Sequence, residues 1–196
     1  MRWLVLALMA VGMVATPAVA ATPKAEVAVA SSVTRGEFAQ AVARWIDFYE
    51  DTYKRSLKSP KESVLLYVDL GGSLKETVNQ LESQYRLFEG VDDFAYGVFE
   101  PSKPLTRLQA AQILRNLVTL VEADEAARVT LSVPREFRDR SSDQATAAAI
   151  DLLTTRRIFF GYPDKTFMAE EKLTRRQFEA LRSNVMGYLE TASKKP

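Results

Sequence analysis

The sequence predicts a mainly α-helical fold, built from repeated units of capped helices and glycine- and aromatic-rich loops. Three observations predict it. The segment Val33-Thr34-Arg35-Gly36-Glu37-Phe38 recurs as Leu105-Thr106-Arg107-Leu108-Gln109-Ala110 and as Leu173-Thr174-Arg175-Arg176-Gln177-Phe178, with the arginines 72 and 68 residues apart. An apolar stripe at helical spacing follows each copy. A glycine turn and an aromatic loop precede the second and third copies.

The N-terminal residues fall outside this pattern. Arg2, an apolar run over residues 3–15 and the small-x-small sequence Ala18-Val19-Ala20 predict a signal peptide over residues 1–20. The run is shorter than the roughly 20 residues that span a bilayer, and no second run of that length follows. The expectation is an exported protein with no membrane-spanning segment. Loss of Arg2 leaves 25 cations against 25 anions, so the chain has no global field to collect nucleic acid. Residues 21–32, rich in Ala, Val and Ser, read as a flexible leader.

The folded region is expected over residues 33–192. In each of the three copies, threonine is the N-cap, and Glu37, Gln109 or Gln177 three residues on completes a capping box. Val33, Leu105 and Leu173 precede the caps, placed to staple to the fourth helical residue. The apolar faces are Phe38, Val42, Trp45 and Tyr49; then Ile113, Leu114, Leu117, Val118 and Val121; then Phe178, Leu181, Val185 and Leu189. The first unit, 33–58, holds only its capped helix, expected to run to about Leu57 before Ser59-Pro60 breaks it. The second, 67–121, opens with Tyr67-Val68-Asp69, and the third, 137–190, with Phe137-Arg138-Asp139. A helix follows each opening, with Leu74, Val78, Leu81 and Tyr85 on its face in unit two and an Ala-rich run in unit three. Each then turns at Gly90 or Gly161 into an aromatic loop.

Composition excludes much catalytic chemistry. The chain has no Cys and no His. That removes disulfides, thiolate metal sites, cysteine nucleophiles and the commonest general base. No nucleophile elbow, phosphate loop, dinucleotide fingerprint or zinc spacing occurs. Asp92-Asp93 lacks the spaced oxygen ligands of a calcium loop and reads as a solvated turn. We expect no enzyme activity, cofactor, metal or catalytic residue.

The arginines are the residues that need a cause. Arg35, Arg107 and Arg175 each occupy the first helical position, where the helix dipole disfavours a cation by roughly 0.3–1 kcal/mol. One reading is capture of a carboxylate by the helix N–H groups and the guanidinium fork. The other is a clasp between units, pairing the arginines with Asp69 and Asp139, which recur at matching offsets. Among the aromatics able to stack on sugar rings (Trp45, Tyr96, Tyr162, Phe167), Tyr162 stands out because it occupies a turn, whereas Trp45 lies on an apolar helix face.

The third unit combines Phe137-Arg138-Asp139, Ala149-Ile150, Ile158-x-x-Gly161-Tyr162-Pro163-Asp164-Lys165-Thr166-Phe167 and Leu173-Thr174-Arg175-Arg176-Gln177-Phe178. This combination resembles an S-layer homology (SLH) motif. Unit two is similar, with Gly90-Val91 in place of Gly-Tyr and 17 residues from Gly90 to Arg107 against 14 from Gly161 to Arg175. The resemblance implies a non-catalytic envelope-anchoring module of pseudo-threefold arrangement. Its partner would be an anionic, possibly pyruvylated, cell-wall polysaccharide or peptidoglycan-linked polymer held between units, in the bacterial cell envelope. The expected ligand-binding set is Arg35, Arg107 and Arg175, the caps Thr34, Thr106 and Thr174, and the loop residues Tyr162 and Asp164. The Trp common early in such motifs is replaced by Ala145 in unit three and by about Leu74 in unit two. With the shortened first unit, this motivates an alternative: a structural adaptor that binds another envelope protein or a second copy and has lost glycan binding. The expectation is an anchor without a cargo domain, and hence a partner held non-covalently.

Overall fold

The computed structural model describes residues 32–57, 67–94, 97–123 and 137–194. The expected signal peptide, nearly all of the leader, and Tyr96 lie outside the described residues. Among these residues the chain forms five helices: α1 Arg35–Tyr53, α2 Gly72–Tyr85, α3 Arg107–Val121, α4 Gln144–Thr155 and α5 Arg175–Ser193. No described helix is long and apolar enough to cross a membrane.

All three capping boxes form. Thr34, Thr106 and Thr174 accept from the amides of Glu37, Gln109 and Gln177 at 3.2, 3.1 and 3.2 Å. The side chains of those three residues accept in return from the threonine amides at 2.9, 3.2 and 3.0 Å. The apolar faces bury as their period requires. Phe38, Val42, Trp45 and Tyr49 are at most 4% exposed, and Trp45 packs with Phe38 and Phe178 at ring separations of 6.0 and 6.1 Å. Leu74 and Val121 are only partly buried against this core. The first helix stops at Tyr53, short of the expected Leu57. Lys54 turns left-handed, at φ 53°. This reverses the chain so that the Leu57 amide donates to Glu50 at 2.7 Å and Leu57 itself buries.

The helix starts meet in a closed ring. Val33 donates to the carbonyl of Leu173, Leu173 to that of Leu105, and Leu105 to that of Val33, at 2.9, 2.8 and 2.9 Å. All three residues are fully buried. The residues before the caps therefore join the units by backbone bonds as well as placing an apolar group at each helix entry. Helix-start amides are satisfied between units too. Arg35 and Gly36 donate to Lys103 and Pro101, and Arg107 and Leu108 donate to Glu171 and Ala169. Amides that a helix leaves orphaned at its first turn are spent here on the loop of the next unit.

The recurrent aspartates hold those loops. Asp69 accepts from the amides of Phe99 and Glu100 at 2.8 and 2.6 Å. Asp139 does the same for Phe167 and Met168 at 2.8 and 2.7 Å. In each pair the second residue is left-handed, Glu100 at φ 52° and Met168 at φ 56°, a conformation that costs a non-glycine residue roughly 1–2 kcal/mol. Two amides clamped by one carboxylate offset that strain. The alternative reading of an arginine clasp on these aspartates gives way to bonds with backbone amides.

Asp69, Asp143 and Asp164 make the fold acid-sensitive. Burial works to raise Asp69, but the two amides outweigh it and hold its carboxyl below the ordinary value. Hydrogen bonds from Thr146 hold Asp143 down, and those from Thr166 hold Asp164 down. A carboxyl depressed in the folded state stabilises it above the ordinary carboxylate pKa, about 4, and loses that contribution as pH falls through the folded value. Asp47, pushed up by burial and by Asp51 and Glu50, works in the opposite sense. The net expectation is a urea midpoint clearly lower at pH 3 than at pH 6; equal midpoints would contradict it.

Candidate functional site

The three arginines share a sequence position but not an environment. Arg35 opens α1 with a side chain that is 0% exposed. Its Nη1 donates to the Phe99 carbonyl and to Glu100, both at 3.1 Å, and its Nη2 to Asp93 at 3.2 Å. The guanidinium lies 4.4 Å from the Phe94 ring. Arg107 opens α3, equally buried. Its Nε donates to the Phe167 carbonyl at 2.8 Å and its Nη2 to the Phe160 carbonyl at 2.9 Å. The rings of Phe159, Tyr162 and Phe167 surround it at 4.5, 4.8 and 4.7 Å. Burial pulls Arg107 below the ordinary arginine value, against the opposing pull of Tyr162, Asp139 and Glu171.

Arg175, opening α5, differs. Its side chain is 50% exposed, and its Nη2 donates to Glu37 at 2.7 Å. Glu37 also closes the capping box of α1. Partial burial tends to raise Glu37, but the Thr34 amide and Arg175 outweigh it and hold the carboxyl low. Arg175 therefore presents a guanidinium at the surface where α5 and α1 begin.

The other expected site residues scatter. Thr34, Thr106 and Thr174 are engaged in their caps. Tyr162 is half-buried, stacks under Arg107, and accepts from Gln177 of α5 at 2.6 Å. Asp164 is exposed and accepts from the amide and hydroxyl of Thr166, at 3.0 and 2.7 Å, within its own turn. Arg107 and Tyr162 are thus brought together, Arg175 meets the Thr34 capping box, and Asp164 stays apart. Trp45 and Phe167 are core residues.

Sequence reading missed the acids that face Arg35. Asp93 lies in a turn with a side chain 60% exposed, as expected of a solvated turn residue. It also bonds Arg35, lies 3.6 Å from Lys103 Nζ, and accepts from Gln109 at 3.4 Å. Glu100 bonds both Arg35 and Lys103. An open groove of about 830 Å³ runs between units two and three. Asp92, Asp139, Asp143, Glu170 and Glu171 line it beside Leu108 and Met168, with no lysine or arginine among the described lining residues. Among the described residues, no group of three or more acidic side chains is arranged to hold a metal ion.

Comparison with known proteins places this geometry. Residues 136–179 match the family model of the S-layer homology domain. The chain is 33% identical over 82 residues to a cellulosome-anchoring protein of Acetivibrio thermocellus, covering 42% of this chain and 17% of that protein. It is 34% identical over 82 residues to cell surface glycoprotein 1 of the same organism, again over 42% of this chain but 3% of that protein. The chain thus spans a small part of each relative's length. No solved structure matches it. The matched residues contain the Asp139 clamp, helix α4, the aromatic cage of Arg107 and the capped start of α5 with Arg175, so the similarity to the S-layer homology domain covers the third unit.

Proposed function

We propose that this protein is a non-catalytic anchoring module of the bacterial cell envelope. It holds a carboxylate-bearing, peptidoglycan-linked polysaccharide at the junction of α5 and α1. The observation that carries this reading is Arg175, which stands half-exposed at a helix start within the matched domain while Arg35 and Arg107 are buried. A planar fork with open donors suits a pyruvyl or uronic carboxylate. The similarity to an anchoring protein and a surface glycoprotein supports the envelope setting. The closed ring through Val33, Leu105 and Leu173 supports a pseudo-threefold arrangement of the units. Export through the N-terminal signal belongs to the same reading.

Arg175→Gln is expected to lower binding to purified sacculi at least tenfold while moving the melting temperature by no more than a few degrees, since exposed ion pairs contribute about 0–1 kcal/mol. Unchanged binding would remove Arg175 from the site.

The acidic groove favours a second reading. Five carboxylates, with no cation among the described lining residues, repel an anionic polymer, so a cationic face of another envelope protein would suit this side of the molecule. Capture of such a protein by a chain that ignores sacculi would establish the adaptor function instead.

A further inference from the structure

We propose that the outer face of α5 is a closed end of the repeat, built to refuse a further helix, so that the chain acts as a monomer. This holds whether or not the ligand is a carboxylate-bearing polymer. The helices α1 and α3 each bury two faces. One turns to the common core. The other receives the short helix of the following unit, for α2 packs along α1 and α4 along α3. That second face falls at matching positions 72 residues apart. Gly36, Ala39 and Ile46 form it in α1, and Leu108, Ala111 and Val118 in α3. All six are buried, and Ala39 and Ala111 are both 0% exposed. Small side chains there let the covering helix lie close. At Gly36 the approach is so close that a Cβ would stand 3.2 Å from Leu74 Cδ2 of α2.

The far end of each face carries a glutamate that the covering helix bonds. Tyr85, the last residue of α2, donates to Glu50 at 3.2 Å. Arg156, just past the end of α4, donates twice to Glu122 at 2.8 Å. A further 68 residues on, the matching positions of α5 are Arg176, Glu179, Met186 and Glu190. Met186 is half-buried, and the three charged residues are exposed. Their partners lie within α5 itself. Glu179 pairs with Arg182 at 3.3 Å, and Glu190 with Lys194 at 2.8 Å. A carboxylate thus stands where both other helices have a buried methyl group. A helix laid on α5 as α4 lies on α3 would strip Glu179 and Arg182 of water and give them no new partner, a loss that the contact cannot repay. This is the place that a short helix of the first unit would take, and a second copy cannot fill it. Terminal units of repeat arrays stay soluble through a polar outer face of this kind.

Sedimentation equilibrium and thermal unfolding of the full chain test this. The native protein is expected to sediment as a monomer at every loading concentration. Arg176→Leu with Glu179→Ala gives α5 the residues that α3 has at these places. The double variant is expected to move the melting temperature by no more than about 2 °C, as surface substitutions do, and to form dimers where the native chain forms none. Ala111→Glu, beneath α4, is expected to lower the melting temperature by about 5 °C or more, because it buries an unpaired carboxylate. A native dimer overturns the inference. A double variant that stays monomeric overturns it too, since these charges would then not be what keeps the face free. A loss of melting temperature as large in the double variant as in Ala111→Glu would mean that α5 is already covered. Should the double variant precipitate, Glu179→Ala alone is read by the same two measurements.

Discussion

Arg107→Ala is expected to lower the unfolding free energy by about 3–5 kcal/mol, the largest loss foreseen for any substitution here. The loss has two parts. The carbonyls of Phe160 and Phe167 each lose a donor, and leaving the buried one, that of Phe167, unpaired costs about 1–3 kcal/mol. The cage of Phe159, Tyr162 and Phe167 is left with a void in place of the guanidinium, and cavities of that size add further cost. Arg107→Lys is expected to recover little, because one ammonium cannot reproduce the planar fork between two carbonyls and three rings. Arg175→Ala, identical in sequence terms, is expected to cost less than about 1 kcal/mol, because its partner pair is exposed. Urea denaturation of the three variants measures the contrast. A loss at Arg107 below about 1 kcal/mol would mean that the arginine does not join units two and three.

Gly161→Ala is the second large effect, with an expected loss of roughly 3 kcal/mol. A Cβ at this position would lie 2.2 Å from Phe137 Cε1 and 2.6 Å from the Thr166 carbonyl oxygen. That carbonyl accepts from the Tyr162 amide at 2.8 Å, so it cannot retreat without opening the turn that carries Tyr162 and Asp164. Phe137 would have to leave its contact with Phe167, now at 5.7 Å. Gly90 occupies the matching turn of unit two for a different reason. It is left-handed, at φ 65°, and among the described residues a Cβ there would meet the Arg115 guanidinium at 3.9 Å, an ordinary contact. Gly90→Ala is expected to cost about 1 kcal/mol, the ordinary penalty of a left-handed alanine. Equal losses at the two glycines, read from thermal unfolding, would contradict this assignment of close approach to one and backbone conformation to the other.

The sequence carried what depends on near neighbours. Cap and capping-box partner are three residues apart, and apolar faces repeat within two turns, so the three helix starts and their core stripes could be read directly. The slots of Arg35 and Arg107 could not, because Arg35 meets Phe99 and Arg107 meets Phe167 across 64 and 60 residues. The recurrence of Asp69 and Asp139 was visible, but recurrence has no direction. It fitted an arginine partner as well as the backbone amides that they actually hold. Left-handed residues such as Glu100 and Met168 left no glycine to mark them. The Thr-Arg signature is the same three times, so nothing local separates the exposed Arg175 from its buried counterparts. That difference arises from the loop each helix start meets.

The anchoring function itself is tested most directly by co-sedimentation of the full chain with sacculi of its own organism, half of them stripped of acid-labile wall polymer. The account predicts that the chain pellets with intact sacculi and remains in the supernatant with stripped ones. Equal pelleting with both preparations, or with neither, would contradict it.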